Sequence, residues 1–304
     1  MESAPLEING NTPIYCLIGH PVGHSLSPAM QNAALAGAGL EGVYVAFDVA
    51  PEGLAVALDG LKALGVRGIN VTIPHKQGIL PLMDKLSPEA KLIGAVNTVE
   101  FRDGARWGHN TDAPGFLQSL RACGREPRGS KAVILGAGGS ARAVAVALAQ
   151  EESTLHIANR TEEKARRLAA YLNTQVRPHC AGAGGLGEAT LPTELATTDL
   201  IINATPVGMA PRGDVAPPIP AAWIPAGALV YDLIYNPWET PLMRAARTAG
   251  AQAVNGAGML AHQGVRSLEI WTGKTLGTRI SKLMEHVLRQ ALASETAGVG
   301  EDSR

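Results

Sequence analysis

The sequence lacks the charge imbalance and the long apolar runs that mark two large classes of protein. Its 304 residues carry 26 Lys and Arg against 27 Asp and Glu, which gives a formal net charge of -1. A chain so close to neutral has no overall field that would attract nucleic acid or an anionic membrane. No segment approaches the ~18 uninterrupted apolar residues of a membrane span. We therefore expect no nucleic-acid partner and no membrane segment.

Cysteine is also scarce, and the few cysteines are far apart. Cys16, Cys123 and Cys180 are odd in number and form no Cys-x-x-Cys pair. This spacing argues against a disulfide framework and a zinc site, so we expect no metal and a reducing compartment. Residues 1–12 lack the basic start and apolar run of a secretion signal. These absences together predict a cytoplasmic protein.

Aromatic residues make up only 4% of the chain, whereas there are 35 glycines and 46% of the residues are apolar. This composition favours an α/β chain with tight turns and closely packed helices. The segment 51–64 predicts one such helix, because it carries four leucines on one helical face: Leu54, Leu58, Leu61 and Leu64. Short apolar runs alternate with such helical patterns, which predicts mostly parallel sheets joined by crossover helices.

A glycine-rich loop opens a second βα series after the polar segment 124–130. Residues 136–141 read Gly-Ala-Gly-Gly-Ser-Ala, which matches G-x-G-x-x-A, and they follow an apolar strand and begin a helix. Glycines there let the backbone turn sharply and approach a pyrophosphate, while the helix N-terminus offers unpaired N–H groups. An ordinary glycine-rich turn is the alternative, but the strand–loop–helix setting favours a dinucleotide.

The next strand end indicates which dinucleotide. NAD-preferring folds place an acid there to hold the ribose 2′-OH. This chain instead has Asn159, Arg160 and Thr161, with Lys164 one turn later. Arginine can pair with a 2′-phosphate through two parallel hydrogen bonds, and Thr161 is predicted as the N-cap of the following helix. NADP(H) is therefore favoured over NAD, unless Arg160 and Lys164 are only solvated surface residues.

Compact polar clusters follow the predicted strands of the first 112 residues. They occupy positions 23–28, 70–76, and 95–98 together with 110–112. Ligands in open α/β sheets bind at the carboxyl ends of strands, so these clusters are candidates for a substrate site. Three histidines flank them without forming a metal-ligand pattern, and we interpret these as local hydrogen-bonding groups: His24, His75 and His109.

Through these motifs and others, the chain resembles the shikimate dehydrogenase family, from roughly Ile14 to Leu288. Nine motifs occur in one order, which is far more specific than any single loop. They begin at Ser25 (Ser-x-Ser-Pro), Asn70 (Asn-Val-Thr-x-Pro-x-Lys), Gly94 (Gly-Ala-Val-Asn-Thr), Asn110 (Asn-Thr-Asp), Gly136, Asn159, Asn203 (Asn-Ala-Thr-Pro-Val-Gly-Met), Asp232 (Asp-Leu-Ile-Tyr-Asn-Pro) and Gly258 (Gly-Met-Leu-x-x-Gln).

The resemblance implies reversible hydride transfer between NADPH and the ring ketone of 3-dehydroshikimate, which gives shikimate. It implies Lys76 and Asp112 as the catalytic pair. An ammonium can stabilise the developing alkoxide and supply its proton, and a carboxylate can orient the ammonium and accept a substrate hydroxyl. A helix N-terminus disfavours the charged form of Lys76, whereas Asp112 favours it. Proton donation and electrostatic stabilisation therefore both stay open as the role of Lys76.

The resemblance also assigns binding residues. Ser25, Ser27 and the hydroxyl of Tyr235 are implied to bind the substrate carboxylate, and Thr72, Asn97 and Gln263 the ring hydroxyls. Ser27 is predicted in addition to be the N-cap of a helix that Pro28 opens, which is compatible because a helix N-terminus favours a carboxylate. The implied cofactor residues are Gly136, Ala137, Gly138, Gly139, Ser140, Asn159, Arg160, Thr161, Lys164, Thr205, Met209, Leu233 and Gly256.

The implied fold has two α/β domains with the active site in the cleft between them. Residues 1–112, together with helices at about 257–290, are expected to form the substrate-binding and catalytic domain. Residues 113–256 are expected to form a Rossmann-type NADP-binding domain, and residues 291–304 a disordered tail. A homodimer is the assembly we consider.

Two alternatives stay open. One is a quinate/shikimate dehydrogenase of the same family that uses both NAD and NADP. The other is a non-catalytic, ligand-sensing relative, whose sign would be loss of Lys76 or Asp112, and both residues are present.

Overall fold

The computed structural model describes residues 8–187, 189–211 and 215–298. Its packing divides the chain into two units. Unit 1 contains the residues up to Thr111 and those from Ala261 onward, and unit 2 contains Asp112–Leu260. Each unit is built on its own sheet with helices between the strands, so the prediction of a two-domain α/β fold is confirmed.

Unit 1 begins with alternating strands and helices and ends with helices. Its strands are β1 (Ile14–Gly19), β2 (Val43–Asp48), β3 (Gly68–Val71), β4 (Lys85–Leu86), β5 (Thr98–Arg102) and β6 (Ala105–His109). Its helices are α1 (Ser27–Gly37), α2 (Leu54–Ala63), α3 (His75–Gly78), α4 (Pro88–Ile93), the part of α10 (Ala257–Thr272) that follows Leu260, and α11 (Gly277–Gly298).

The strand order of the unit 1 sheet brings distant segments to one edge. The order is β2-β1-β3-β5-β6-β4. β1, β2 and β3 are mutually parallel, whereas β5 runs antiparallel to both β3 and β6. The residues before β5 therefore lie at the same sheet edge as the residues that follow β3 and β6. This edge is where polar clusters from three separate segments converge.

The core of unit 1 lies between the sheet and α2. Leu54, Leu58 and Leu61 of α2 are buried there with strand residues such as Ile69, and each buried leucine contributes about 1.5–3 kcal/mol by leaving water. Leu64, which was expected on the same face, is 79% exposed. The expectation was wrong at this position because α2 ends at Ala63 and the chain turns away.

One residue of the edge strand β2 is paired by a side chain of α1. β2 is the edge strand, and the carboxamide of Asn32 on α1 bonds to both backbone groups of Tyr44, at 2.8 Å to its carbonyl and 2.8 Å from its N–H. At this one residue the backbone groups of the edge strand are not available to a foreign strand. The same two bonds hold α1, which carries Ser27 at its start, against β2.

The C-terminal helix is longer than the sequence predicted. α11 continues to Gly298, so the expectation of a disordered tail from residue 291 was wrong for residues 291–298, and residues 299–304 lie outside the described part of the chain. The reason is that the apolar face of α11 continues past residue 290: Met284, Leu288 and Leu292 are all buried at four-residue spacing.

Unit 2 alternates strands and helices throughout. Its strands are β7 (Lys131–Leu135), β8 (Thr154–Asn159), β9 (Ala181–Gly185), β10 (Leu200–Asn203), β11 (Leu229–Asp232) and β12 (Gln252–Val254). Its helices are α5 (Asp112–Ala122), α6 (Gly139–Gln150), α7 (Glu162–Gln175), α8 (Leu191–Ala196), α9 (Pro241–Thr248) and the first residues of α10.

The unit 2 sheet is parallel and has the strand order of a dinucleotide-binding fold. The order is β12-β11-β10-β7-β8-β9, and every neighbouring pair is parallel. Counted from β7, this is the order 3-2-1-4-5-6 read from the β9 edge. The direction of winding reverses between β7 and β10, and ligands bind at such a switch point outside the carboxyl ends of the strands.

Candidate functional site

The start of α1 presents two of the predicted substrate residues. The backbone N–H of Ser27 bonds to Ser25 Oγ at 3.3 Å, Ser25 is half-buried and Ser27 is 8% exposed. The N-cap of α1 is Leu26, without a side-chain cap bond, so the prediction of Ser27 as N-cap was wrong. The helix begins one residue earlier than expected because Ser27 itself has helical geometry, and its hydroxyl is not used to cap the helix.

The turn after β3 carries Thr72 and Lys76 and is tied to both neighbouring segments. Thr72 N–H bonds to Ile18 O of β1 at 2.9 Å, and the carbonyl of Lys76 accepts from Val96 N–H at 2.7 Å. His75 is buried and its Nε2 lies 2.6 Å from Val49 O, which confirms it as a local hydrogen-bonding group. The side chains of Thr72 and Lys76 are half-buried at this edge of the unit 1 sheet.

Asn97 and Gln263 meet at the same edge, although they come from opposite ends of the chain. Asn97 Nδ2 donates to Gln263 Oε1 at 3.2 Å and to Thr111 Oγ1 at 2.9 Å, and Asn97 Oδ1 accepts from Thr111 N–H at 2.7 Å. The three side chains are 2%, 8% and 1% exposed. Amides and hydroxyls with so many fixed partners have set orientations, as recognition of a particular pattern of hydroxyls requires.

Another histidine near this edge, His109, bonds to a carboxylate. His109 Nε2 lies 3.2 Å from Glu100 Oε2, which confirms it as a local hydrogen-bonding group. Burial lowers the pKa of His109, and the bond to Glu100 opposes that shift in part. No group of three or more His, Cys, Asp or Glu that could hold a metal ion occurs among the described residues.

In unit 2, the glycine-rich loop lies at the switch point of the sheet. Gly136 has φ +115°, and a Cβ there would lie 2.9 Å from Ala204 O after β10, so only glycine fits. Gly138 is the N-cap of α6 without a side-chain cap bond, and a Cβ on it would meet no atom within 4 Å. The first turn of α6 carries no acid. Open backbone and an uncapped helix N-terminus are what a pyrophosphate requires.

The tip of β8 is basic, as predicted. Asn159 Nδ2 donates to Thr161 O at 2.8 Å, and Thr161 is the N-cap of α7. Two nearby acids pair with arginines one turn along the helix: Glu162 with Arg166, and Glu163 with Arg167 at 2.8 Å. Arg160 and Lys164 are exposed and form no ion pair within the described part of the chain. The neighbouring acids Glu162 and Glu163 therefore do not neutralise these two cations.

The turns after β10 and β11 are joined by a buried carboxylate. Asp232 accepts from Thr240 Oγ1 at 2.7 Å and from Asn203 Nδ2 at 2.9 Å, and Asn203 Oδ1 in turn holds the hydroxyl of Thr205 at 2.7 Å. Burial raises the pKa of Asp232 to about 6, although its three hydrogen bonds lower it. This cluster fixes the turn that carries Thr205 relative to the turn that carries Leu233.

Leu233 and Gly256 are in contact. Leu233 N–H bonds to Asn203 O at 2.9 Å, and a Cβ on Gly256 would collide with the Leu233 carbonyl, so the backbones pass as closely as glycine allows. Met209 N–H bonds to Pro206 O at 3.1 Å in the turn after β10. The predicted cofactor residues therefore gather at the carboxyl ends of β7, β8, β10 and β11.

Three family models match successive parts of the chain. The shikimate dehydrogenase substrate binding domain matches residues 17–99, shikimate / quinate 5-dehydrogenase matches residues 121–207, and the shikimate 5'-dehydrogenase C-terminal domain matches residues 256–278. A shikimate dehydrogenase (NADP(+)) of Moorella thermoacetica is 46% identical over 96% of this chain and 98% of its own length. The chain belongs to the shikimate dehydrogenase family.

Other relatives agree with this membership. A shikimate dehydrogenase (NADP(+)) of Methanopyrus kandleri is 47% identical over 94% of this chain and 99% of its own length. A crystal structure of the shikimate 5-dehydrogenase of Thermus thermophilus in complex with NADP(H) and shikimate superimposes with a TM-score of 0.81 at 40% identity, covering 92% of this chain and 100% of that chain.

The family's predicted site residues divide between the two units. Unit 1 holds Ser25, Ser27, Thr72, Lys76, Asn97 and Gln263, whereas Asp112, at the start of α5 and 3% exposed, and half-buried Tyr235 belong to unit 2 with the cofactor residues. No helix in the described part of the chain has both the length and the apolarity to span a membrane.

Several residues around the sites were missed by the sequence analysis. Ser267, Tyr44 and Asp232 are buried and bond to residues of the predicted sites or their neighbours. Arg142, one residue beyond the phosphate loop, stacks on Tyr171 with 4.7 Å from Cζ to the ring centroid, and burial lowers its pKa. For Ser267, the sequence does carry a signal, namely its four-residue spacing from Gln263 and Trp271 on α10, which places the three side chains on one helical face.

Proposed function

We propose that this chain catalyses the reversible NADPH-dependent reduction of 3-dehydroshikimate to shikimate, in the pathway to chorismate and the aromatic amino acids. One observation carries the proposal: a buried set of orienting amides and hydroxyls, Asn97, Thr111 and Gln263, lies at the sheet edge that also carries Thr72 and Lys76. Such a set suits a small ring with several hydroxyls, because each polar partner rejects an analogue that leaves it unpaired.

NADP(H) fits the residues of unit 2. Gly136, Ala137, Gly138, Gly139 and Ser140 would hold the pyrophosphate at the start of α6, which has an open backbone and no acid in its first turn. Arg160 and Lys164 would hold the 2′-phosphate, with Asn159 and Thr161 shaping the turn between them. Thr205, Met209, Leu233 and Gly256 would line the nicotinamide end. When bound, the reduced cofactor supplies the hydride.

Lys76 and Asp112 would perform the proton chemistry. Reduction of a ring ketone leaves negative charge on its oxygen, and the Lys76 ammonium would stabilise that charge and supply the proton from Nζ. The Asp112 carboxylate would orient the ammonium and accept a bond from a neighbouring ring hydroxyl. The cleft between the domains, in which substrate and cofactor are expected to meet, stays a prediction.

The substrate carboxylate would be bound by Ser25, Ser27 and Tyr235. Support comes from the start of α1, where the Ser27 hydroxyl does not cap the helix and the helix N-terminus favours an anion. Thr72, Asn97 and Gln263 would bind the ring hydroxyls. The orientation of Asn97 is already set, since Thr111 engages both ends of its amide.

A cytoplasmic location is part of the proposal, supported by the cysteines. Cys16 and Cys180 are buried and Cys123 is exposed, all three as free thiols, and a reducing compartment keeps thiols in that form. A homodimer stays a prediction.

The rival within the family is a quinate/shikimate dehydrogenase that uses NAD as well. The family model for residues 121–207 covers both substrates by its description, so it does not separate them. The basic tip of β8 and the intact Ser25 both favour an NADP-dependent shikimate dehydrogenase over this rival.

The deciding experiment is a steady-state assay of the purified chain. We expect NADP reduction with shikimate to be much faster than NAD reduction with shikimate or NADP reduction with quinate. Comparable rates with quinate or with NAD would support the rival enzyme. Tight binding of shikimate, measured by calorimetry, without turnover in any of the three assays would support a non-catalytic ligand-binding relative.

A further inference from the structure

One face of α10 is docked on the unit 1 sheet by three side chains four residues apart. Gln263, Ser267 and Trp271 lie one above another on that face. Trp271 Nε1 donates to Val99 O at 2.9 Å, and its ring stacks on Tyr15 with centroids 5.2 Å apart. Trp271 therefore anchors the far end of the segment, and Gln263 lies two turns nearer the candidate substrate site.

Ser267 is the central contact of this face. Its hydroxyl, fully buried, donates to Gln263 O at 3.0 Å and lies 2.8 Å from Thr98 Oγ1, 3.3 Å from Thr111 Oγ1 and 2.9 Å from Asn70 Nδ2. A hydroxyl has one proton and two lone pairs, so this oxygen is fully used. It joins β3, β5, the segment after β6 and α10 at one point.

The partners of Ser267 are also the partners of the predicted substrate residues. Thr111 bonds to both ends of the Asn97 carboxamide and, at 3.4 Å, to Gln263 Oε1. Thr98 Oγ1 also lies 3.1 Å from Asn97 Oδ1. Movement of the Ser267 hydroxyl would therefore change the placement of Asn97 and Gln263 together, although Ser267 is bonded to neither of their side chains.

A second buried side chain, Tyr44, supports Ser267 through Asn70. Tyr44 OH donates to Asn70 Oδ1 at 2.8 Å, which sets the Asn70 carboxamide so that its Nδ2 faces Ser267. Tyr44 is 1% exposed and Asn70 6%. The chain of bonds thus runs from β2 through Asn70 to Ser267 and then to the residues around Asn97 and Gln263.

We propose that Ser267 is a positioning residue that sets the spacing between the Asn97 and Gln263 carboxamides and thereby the selectivity of the enzyme for the ring hydroxyls of its substrate. The inference rests on the proposed function. Hydrogen-bonding partners that are held in fixed positions bind substrate hydroxyls more tightly than mobile partners do. A small misplacement of those partners therefore reduces both the affinity for the substrate and the discrimination against its analogues.

The test is Ser267→Ala, which removes the hydroxyl without adding volume, compared with Ser281→Ala. Ser281 is a matched control because it is 2% exposed, lies on α11 of the same unit, and bonds only to Thr278 O of its own helix among the described residues. In Ser267→Ala we expect the KM for shikimate to rise about ten-fold while the KM for NADP changes less than about two-fold. The preference for shikimate over quinate, as a ratio of kcat/KM, should fall. Ser281→Ala should change none of these values.

A double-mutant cycle separates positioning from a general loss of packing. The double variant of Gln263→Ala with Ser267→Ala should raise the shikimate KM by clearly less than the product of the two single effects, because part of the effect of Ser267 is exerted through Gln263 and only the part through Asn97 is left. Additive effects would overturn the proposal, as would an unchanged shikimate KM in Ser267→Ala.

If Ser267→Ala fails to fold, the variant Tyr44→Phe provides the test. A shikimate KM raised about three-fold with an unchanged NADP KM supports the proposal, and an unchanged shikimate KM overturns it. A wild-type chain that does not oxidise shikimate would reject the proposed function instead, which is a separate outcome.

Discussion

In unit 1 the candidate site is made of side-chain amides and hydroxyls that bond to one another, whereas in unit 2 it is made mainly of backbone groups. Asn97, Thr111 and Gln263 illustrate the first kind, since all three are buried and mutually bonded. Gly136 and Gly138 illustrate the second, since one allows a close backbone approach and the other leaves space open. The difference follows from the ligands that each unit is proposed to bind.

A ring with several hydroxyls must be recognised by groups of defined polarity at defined places, which side chains supply. A pyrophosphate is recognised by N–H groups and a helix dipole, which any sequence with small residues at the turn supplies. This is why many unrelated enzymes share the phosphate loop, and why the substrate is better argued from unit 1. The predictions below test this contrast, in order of decreasing effect.

The largest effect is expected from a single side chain of unit 1. Lys76→Ala should lower kcat by about a thousand-fold, because the ammonium both stabilises the alkoxide and supplies its proton, while the KM for shikimate stays within about ten-fold. Lys91→Ala, at an exposed position on α4 of the same unit, is the matched control in a steady-state assay. Turnover of Lys76→Ala at the wild-type rate would reject its catalytic assignment.

In unit 2, a single side chain should alter the choice of cofactor rather than the chemistry. Arg160→Ala should raise the KM for NADP by about 10- to 100-fold, the value of a charge-assisted contact, and leave the KM for NAD nearly unchanged. Arg166→Ala removes a nearby cation of α7 that is already paired with Glu162, and it should change neither value. An equal loss of affinity for both cofactors would mean that Arg160 supports the loop rather than the 2′-phosphate.

Asp232 is a buried carboxylate of unit 2, and it predicts a pH dependence of stability. Burial raises its pKa to about 6, so the folded protein binds this proton more tightly than the unfolded chain. The stabilising contribution is complete below the unfolded pKa of about 4 and is lost as the pH rises through about 6. Between about pH 4.5 and about pH 7.5 this amounts to about 2 kcal/mol of unfolding free energy.

Urea unfolding of wild type and Asp232→Asn at the two pH values measures this contribution. The free energy of unfolding of Asp232→Asn minus that of wild type should be about 2 kcal/mol larger at the higher pH than at the lower one, because only wild type loses this stabilisation. Asp199→Asn, which changes an exposed carboxylate of the same unit, should keep the wild-type slope. A wild-type slope in Asp232→Asn would show that the carboxylate does not titrate in this range.

The sequence predicted those elements whose signal is local. β7, the phosphate loop and α6 were read from an apolar run followed by glycines, and the basic tip of β8 was read from four residues. In contrast, β9 has the sequence Ala-Gly-Ala-Gly-Gly, which carries no strand preference. It is a strand because β8 offers it a parallel partner in register, Leu155 opposite Ala181.

The ends of helices were also beyond local prediction. Ser27 has the right residue type for a cap, but it is the first residue of α1 and Leu26 is the N-cap. The polar stretch after residue 290 suggested disorder, yet Leu292 is buried and α11 continues. In α11, packing outweighs a propensity of roughly 1 kcal/mol or less per residue.

The sequence by itself determined which chemistry is present: a phosphate loop, a basic strand tip, and a lysine and an aspartate within family motifs. Each of these depends on a few adjacent residues, because glycine geometry and side-chain charge act locally. Only the tertiary structure decided that Asn97 meets Gln263, 166 positions away, with Ser267 behind them. That meeting depends on an antiparallel β5 in a mixed sheet and on α10 returning to it, and no local pattern encodes the order of strands in a sheet.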